Sequence, residues 1–217
     1  MSPKIAKIDA TYPDSLLIER AAKLITGGKV VVCPTDTGYA FSANALDVRA
    51  VARVFALKSR DFKNPIHVAV SSIEEAEKYA YVSPAARHLA RYFLPGALTL
   101  VLPKKEIIPS LLVGGRDTIG IRIPDNRVIL ELAGMAGVPL TTTSANISGK
   151  PTPYAVEEIR AQLGEGIKNV ALILDQGPLA VHELSTIVDL TVSPPQLIRQ
   201  GRVSWLEVRE VLSSLKD

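Results

Sequence analysis

Residues 139–153 read PLTTTSANISGKPTP, and here a short apolar run gives way to Thr141, Thr142, Thr143, Ser144, Asn146 and Ser148. These side chains offer hydrogen-bond donors and acceptors without charge, which suits an anionic or zwitterionic small molecule. The same hydroxyls could instead do no more than cap local backbone groups. Four further polar clusters fall at the ends of expected strands. Thr35-Asp36-Thr37-Gly38-Tyr39 follows an apolar run, and its glycine permits close approach of a ligand to backbone. Lys58-Ser59-Arg60-Asp61-Phe62-Lys63-Asn64-Pro65 places three cations after a helix. They either complement the helix dipole or clamp phosphate, Arg as a fork and Lys as a point charge. Gly114-Gly115-Arg116-Asp117-Thr118 leads into a strand in which Arg122 alternates with Ile119, Ile121 and Ile123, so Arg122 faces away from the isoleucines. It is either solvated or aimed into a cavity as a carboxylate ligand. The last cluster joins Ser185, Thr186 and Asp189 to the segment Leu197-Ile198-Arg199-Gln200-Gly201.

The elements that position these clusters follow from periodicity. Leu16–Ile25 has helical spacing and stops at Gly27-Gly28, with a buried strand over 29–33. Asp47 caps a helix through Leu57. Strands are expected over 66–70, 98–102, 118–123, 139–143, 170–174, 186–190 and 196–199, and helices over 127–136 and 154–163. Ser72 with Glu75, and Ser204 with Glu207, have capping-box spacing. Ser83-Pro84 is a cap followed by proline at the first helical position. Strands crowd together after residue 165, which favours a mixed sheet over a doubly wound parallel one. The expected fold class is therefore α/β, with a twisted sheet of parallel and antiparallel strands, flanking helices, and a single domain over 1–217.

Composition narrows the function classes. The chain has 217 residues, 47% hydrophobic and 22% charged, as in ordinary globular proteins. Its one cysteine, Cys33, lies in an apolar run and reads as core, so a multi-cysteine metal site within one chain is ruled out. The N-terminus lacks an apolar signal region, and no uncharged stretch reaches the ~18 residues of a membrane span. A cytoplasmic setting without membrane contact is expected. The net charge of +3 permits a nucleotide or RNA partner without requiring one. No phosphate-loop, dinucleotide, zinc-protease or serine-hydrolase motif occurs. The three histidines, His67, His88 and His182, lack metal-ligand spacing, and no protein-held metal site is expected. An enzyme of this kind would work by positioning and charge stabilisation.

Taken together and in order, PTDTGY, Lys58-Ser59-Arg60, Asn64-Pro65, TIGIRIPD, SANISGKPTP, STIVDLT and LIRQG resemble the YrdC/Sua5 family of threonylcarbamoyl-adenylate synthases over about residues 14–205. The family pairs a Lys-x-Arg motif with a distant Ser-x-Asn motif, here Ser144-Ala145-Asn146. The resemblance implies a large, basic concave cavity and the conversion of L-threonine, bicarbonate and ATP to threonylcarbamoyl-AMP and pyrophosphate. That product would serve N6-threonylcarbamoyladenosine formation at tRNA position 37 through a downstream threonylcarbamoyltransferase. By resemblance, Thr37, Arg122, Thr142 and Ser185 hold threonine, with Arg122 on its carboxylate. Arg60, Asn64, Thr118, Ser144, Thr152 and Arg199 hold the nucleotide. Lys58 and Asn146 complete the two motifs and face the phosphates, with Lys58 and Arg60 catalytic and Mg2+ arriving with ATP.

Three positions depart from the family pattern. Gly38 and Ala40 lie in PTDTGYAF, where many members read PTETVYGL. Ala69 stands where many have histidine, while this chain carries His67 on the same side of that strand. A related group of uncertain activity and an RNA-binding module are the competing readings, with weak RNA contact compatible with catalysis. The 5% aromatic content gives little support to base stacking.

Overall fold

A computed structural model describes residues 3–215. The strands pair in both senses, as the sequence leads one to expect, but they divide between two sheets. The first contains β1 (Lys4–Lys7), β2 (Val30–Thr35), β3 (Gly38–Ser42), β8 (Thr143–Ser144) and β9 (Val170–Asp175), in the order β1-β9-β2-β3-β8. The second contains β4 (Val68–Ala69), β5 (Leu98–Pro103), β6 (Thr118–Arg122), β7 (Leu140–Thr141), β10 (Thr186–Asp189) and β11 (Gln196–Arg199), in the order β11-β10-β5-β6-β4-β7. β1, β9 and β2 run parallel, whereas β2-β3 and β3-β8 are antiparallel.

The hydroxyl-rich segment is where the chain changes sheet. β7 pairs with β4 in one sheet and β8 with β3 in the other, so Thr142 is the crossing residue. The crossing is pinned on both sides. Thr142 N donates to His67 O at 2.8 Å, and Thr141 Oγ1 donates to Phe41 O at 3.0 Å while accepting from Ala43 N at 3.0 Å. A single strand over 139–143 was the sequence expectation. The break at Thr142 sets two short strands in its place.

Helices cover the first sheet on both faces, so β2 is buried along its length. Val30 and Val32 point into one cluster with α2 (Val48–Lys58). Val31 and Cys33 point into another with α1 (Ser15–Thr26) and α5 (Arg127–Ala136). The α1 stripe of Ile18, Ala21, Ala22 and Ile25 has the spacing of one helical face. Asp14 caps that helix through the Leu16 and Leu17 amides. α4 (Pro84–Phe93), α6 (Val156–Leu163) and α7 (Trp205–Ser213) complete the long helices, and α7 starts with the expected capping box.

The box expected at Ser72 forms only in half. Ser72 Oγ accepts from Glu75 N at 3.1 Å and starts the one-turn α3 (Ile73–Ala76). The Glu75 carboxylate turns instead to Ser71 N at 2.8 Å.

β1 and β3 were not anticipated. β1 is a short edge strand with lysine at both ends, a pattern that protects edges and hides strand periodicity. β3 follows β2 through a two-residue turn, Asp36-Thr37, within what the sequence presents as a ligand loop. Gly38 has φ +123°, and a Cβ there would come within 2.6 Å of Thr152 Cγ2. The departure from valine at 38 is thus matched by close packing of the Thr152-Pro153 segment, where Tyr39 N donates to Pro153 O.

Candidate functional site

One cavity of about 160 Å³ draws its walls from both sheets. The β2–β3 hairpin contributes Thr35, Thr37 and Gly38, and the sheet crossing contributes Thr142, Thr143 and Ser144. Arg60, His67, Thr99, Arg122, Ser185 and Arg199 also face it, and no carboxylate is among the lining residues. All four residues expected to hold threonine are present, together with Arg60, Ser144 and Arg199 from the nucleotide set. The enclosed volume is smaller than the resemblance implies and falls below the ~300–1,000 Å³ of pockets for drug-sized ligands. The three arginines of its wall are each hydrogen-bonded to neighbouring protein groups.

Arg122 is the most enclosed of them. Its Nη2 donates to Asp36 Oδ1 at 2.6 Å and its Nη1 to Thr37 Oγ1 at 2.7 Å, with Asp36 as buried as the arginine. Its Nε makes a longer bond to Gly96 O at 3.3 Å. Arg199 lies on Ser185, with Nε and Nη2 donating to Ser185 O at 3.1 and 2.9 Å. Ser185 Oγ in turn lies 2.9 Å from Thr99 Oγ1. Arg60 is held by its own loop, donating to Asn64 O at 3.1 Å and Pro65 O at 3.0 Å.

Three guanidinium charges therefore converge. Burial and the neighbouring Arg122 both lower the Arg199 pKa. Burial, then Arg199, Arg60 and Arg122, push the His67 imidazole down to about 4, so it is neutral at physiological pH. A site at which like charges repel, with no acid in its lining, stabilises an anion. His67 crosses β6 at Gly120, where a Cβ would come within 2.5 Å of its ring. A glycine inside a strand is the sequence signal for such close approach. That signal, and Thr99 within an apolar strand, are the cavity features the sequence reading passed over.

Lys58 does not face the cavity as expected. It is 1% exposed. Its ammonium donates to Ser144 O at 2.5 Å, Asn146 O at 3.1 Å and Asn146 Oδ1 at 2.7 Å. Its carbonyl accepts from Ser148 N at 2.8 Å. An ammonium has three donors, so this clasp uses all of them. Burial first, then Arg60, lowers the Lys58 pKa to about 7. Asn146 is buried in the same clasp. Of the other expected nucleotide residues, Asn64 is exposed and touches Arg60 through its carbonyl, and Thr152 packs against Gly38. Thr118 opens β6, on the same face as Arg122 but four residues along, roughly 13 Å at strand rise.

A wider hollow of about 700 Å³ lies behind α2, lined by Lys29, Arg53, Ser59, Ile147 and Lys168 among others. It holds none of the expected site residues. Cys33 lies in neither hollow. It is fully buried beside Ser42 Oγ, and burial pushes its thiol up to about 12, which makes it an inert core residue.

Fold and site define a mixed α/β protein with a small arginine-lined cavity at a sheet crossing. The profile of the family described as "Telomere recombination" (Sua5, YciO and YrdC) matches residues 23–201, and the chain belongs to that family. It is 38% identical over 200 residues to the threonylcarbamoyl-AMP synthase of Pyrococcus abyssi, covering 92% of this chain and 58% of that protein. It is 44% identical over 185 residues to a putative threonylcarbamoyl-AMP synthase of Methanocaldococcus jannaschii, covering 85% and 86%. Among solved structures, P. abyssi Sua5 complexed with L-threonine superposes with TM-score 0.90 at 37% identity, covering 98% of this chain and 62% of that one. Escherichia coli YciO superposes with TM-score 0.83 at 28% identity, covering 93% and 97%. The chain thus spans about three fifths of the P. abyssi protein. Among the described residues, no helix is long and apolar enough to cross a membrane.

Proposed function

We propose that the protein joins L-threonine, bicarbonate and ATP into threonylcarbamoyl-AMP with release of pyrophosphate. The observation that carries this reading is the gathering of Thr37, Arg122, Thr142 and Ser185, far apart in sequence, around one arginine-lined cavity. The cavity suits a small amino acid, and a nucleotide would extend past its rim toward Asn64, Thr118 and Thr152. The threonine complex of P. abyssi Sua5 and the synthases of P. abyssi and M. jannaschii support the assignment.

In this reading Arg122 holds the threonine carboxylate. The threonine nitrogen bonds to the bicarbonate carbon, and water leaves. A carbamate oxygen then attacks the α-phosphorus, and the bond to pyrophosphate breaks. Negative charge growing on the phosphoryl oxygens is met by Arg60 and Arg199, and magnesium travelling with ATP would supply further charge stabilisation. The nucleophile belongs to the substrate, so the chain needs no activated Ser, Cys or His. Lys58 supports the site from beneath, contacting the Ser-x-Asn loop rather than phosphate. The product would pass to a tRNA threonylcarbamoyltransferase in the cytoplasm.

The test is pyrophosphate release from ATP with magnesium. Release should require both threonine and bicarbonate. No release with both present would remove this assignment.

A further inference from the structure

The hydrogen bonds beneath the cavity determine which way the Ser144 hydroxyl points. Asn146 Nδ2 donates to Lys150 O, so its other terminal atom, Oδ1, is the amide oxygen. The Lys58 ammonium, which can only donate, agrees with that orientation at 2.7 Å. Ser144 Oγ lies 2.6 Å from the same Oδ1 and donates to it. A serine hydroxyl has one hydrogen, so this bond uses it. Ser144 still lines the cavity, but only lone pairs are left to face it.

We propose that Ser144 serves its ligand as an electron-pair donor only, and that Lys58 and Asn146 are the positioning residues that impose this polarity. The group placed against Ser144 then carries positive character, either a hydroxyl or amino hydrogen of the ligand or a magnesium ion that ATP would bring with it. A bare phosphate oxygen would meet lone pairs with lone pairs. Donors to anions lie elsewhere in the same cavity. Thr37 Oγ1 accepts from Arg122 and lies 3.3 Å from Thr35 Oγ1, whose own hydrogen goes to Gly38 O, so the donors to anions are the free N–H groups that the three arginines retain. The cavity is therefore polarised, with donors on the arginine side and an acceptor at the sheet crossing. This rests on the nucleotide reading of the site.

The experiment compares wild type with Ser144→Ala by calorimetry. The probes are inorganic pyrophosphate without metal, ATP with and without magnesium, and 2′-deoxy- and 3′-deoxy-ATP. Metal-free pyrophosphate should bind both proteins within twofold. ATP should bind the variant at least fivefold more weakly under one arm only. If magnesium is the partner, the affinity gained on adding magnesium shrinks in the variant. If a ribose hydroxyl is the partner, wild type discriminates against one deoxy analogue and the variant does not. A fivefold or greater loss of metal-free pyrophosphate binding would show Ser144 donating to phosphate and overturn the proposal. So would equal losses for every probe. If wild type fails to bind ATP under any condition, the nucleotide reading itself falls, an outcome separable from the other two.

Discussion

Lys58 and Arg122 are both buried cations from motifs that the sequence marks for chemistry, yet they use their donors differently. Lys58 commits all three to the loop over residues 144–146. Arg122 has five N–H groups and engages one each with Gly96, Thr37 and Asp36. Two N–H groups remain without a partner among the described residues. Burial of a cation is thus no guide to its task. What separates a structural cation from a ligand-binding one is the number of donors left after the protein has been satisfied.

If this distinction holds, Arg122→Ala gives the largest effect. Threonine affinity should fall at least 30-fold, about 2 kcal/mol or more, as for removal of one partner of a buried charged contact. Stability should fall by about 3–5 kcal/mol, because Asp36 is left buried without its partner. Combining Arg122→Ala with Asp36→Asn should recover most of the stability and none of the threonine binding. Recovery of binding in the double variant, measured by calorimetry, would show that Arg122 is structural like Lys58.

Lys58→Met comes next. It should cost about 2–3 kcal/mol by leaving buried acceptors without a donor, read as a lower denaturation midpoint. The lysine also carries a pH signature. Its folded pKa, near 7, is below the usual value of 10.5, so the unfolded chain binds the extra proton between those limits. Stability then rises with pH from about 7 toward 10.5. The methionine variant should lack that rise. A variant that keeps it would place the titration elsewhere.

His67 sharpens the arginine side of the comparison. Its folded pKa near 4 is below the ordinary 6.5, so the unfolded chain again binds the proton more readily. Stability should fall as pH drops from 6.5 toward 4, with a slope of at most about 1.4 kcal/mol per pH unit. Burial is the main cause, and Arg199, Arg60 and Arg122 add to it, with Asp36 paired to Arg122. His67→Gln should flatten the acid limb of the melting curve. Saturating pyrophosphate should raise the His67 pKa in an NMR titration by neutralising the arginines. A pKa unmoved by that anion would mean it binds away from the three guanidinium groups.

The same contrast explains what the sequence could and could not reveal. Helix caps at Asp47, Ser83 and Ser204 were readable because a cap is local chemistry. The Lys-x-Arg and Ser-x-Asn motifs were readable as partners, and the clasp joins them. The direction of Lys58 was not, because it depends on which carbonyls the 144–146 loop presents, and that follows from a sheet crossing at Thr142. The two-sheet division was hidden for the same reason, since a strand broken by one residue keeps its apolar pattern. Arg122 was legible as facing away from its isoleucines, but Asp36 as its partner was not. That pair forms only when β6 meets the β2–β3 turn.

One residue lets Lys58 and Arg60 face opposite ways, and it gives the smallest expected effect. Ser59, between them, is the C-cap of α2 with φ 48° and ψ 43°. It is the one residue other than glycine with positive φ among those described. Its left-handed turn ends the helix immediately after Lys58 has pointed inward and sends Arg60 toward the cavity. A Cβ in this conformation costs about 1 kcal/mol or more, while glycine adopts it freely at the expense of a more flexible unfolded chain. Ser59→Gly should therefore raise stability by no more than about 0.5–1 kcal/mol and leave ATP and threonine affinities unchanged. Ser59→Val should lower stability and weaken ATP binding more than threonine binding, because the strain is relieved by turning Arg60 while Arg122 stays in place. Equal weakening of both ligands by the valine variant would mean that the turn supports the whole cavity, and that the separation between clasp and arginine side is incomplete.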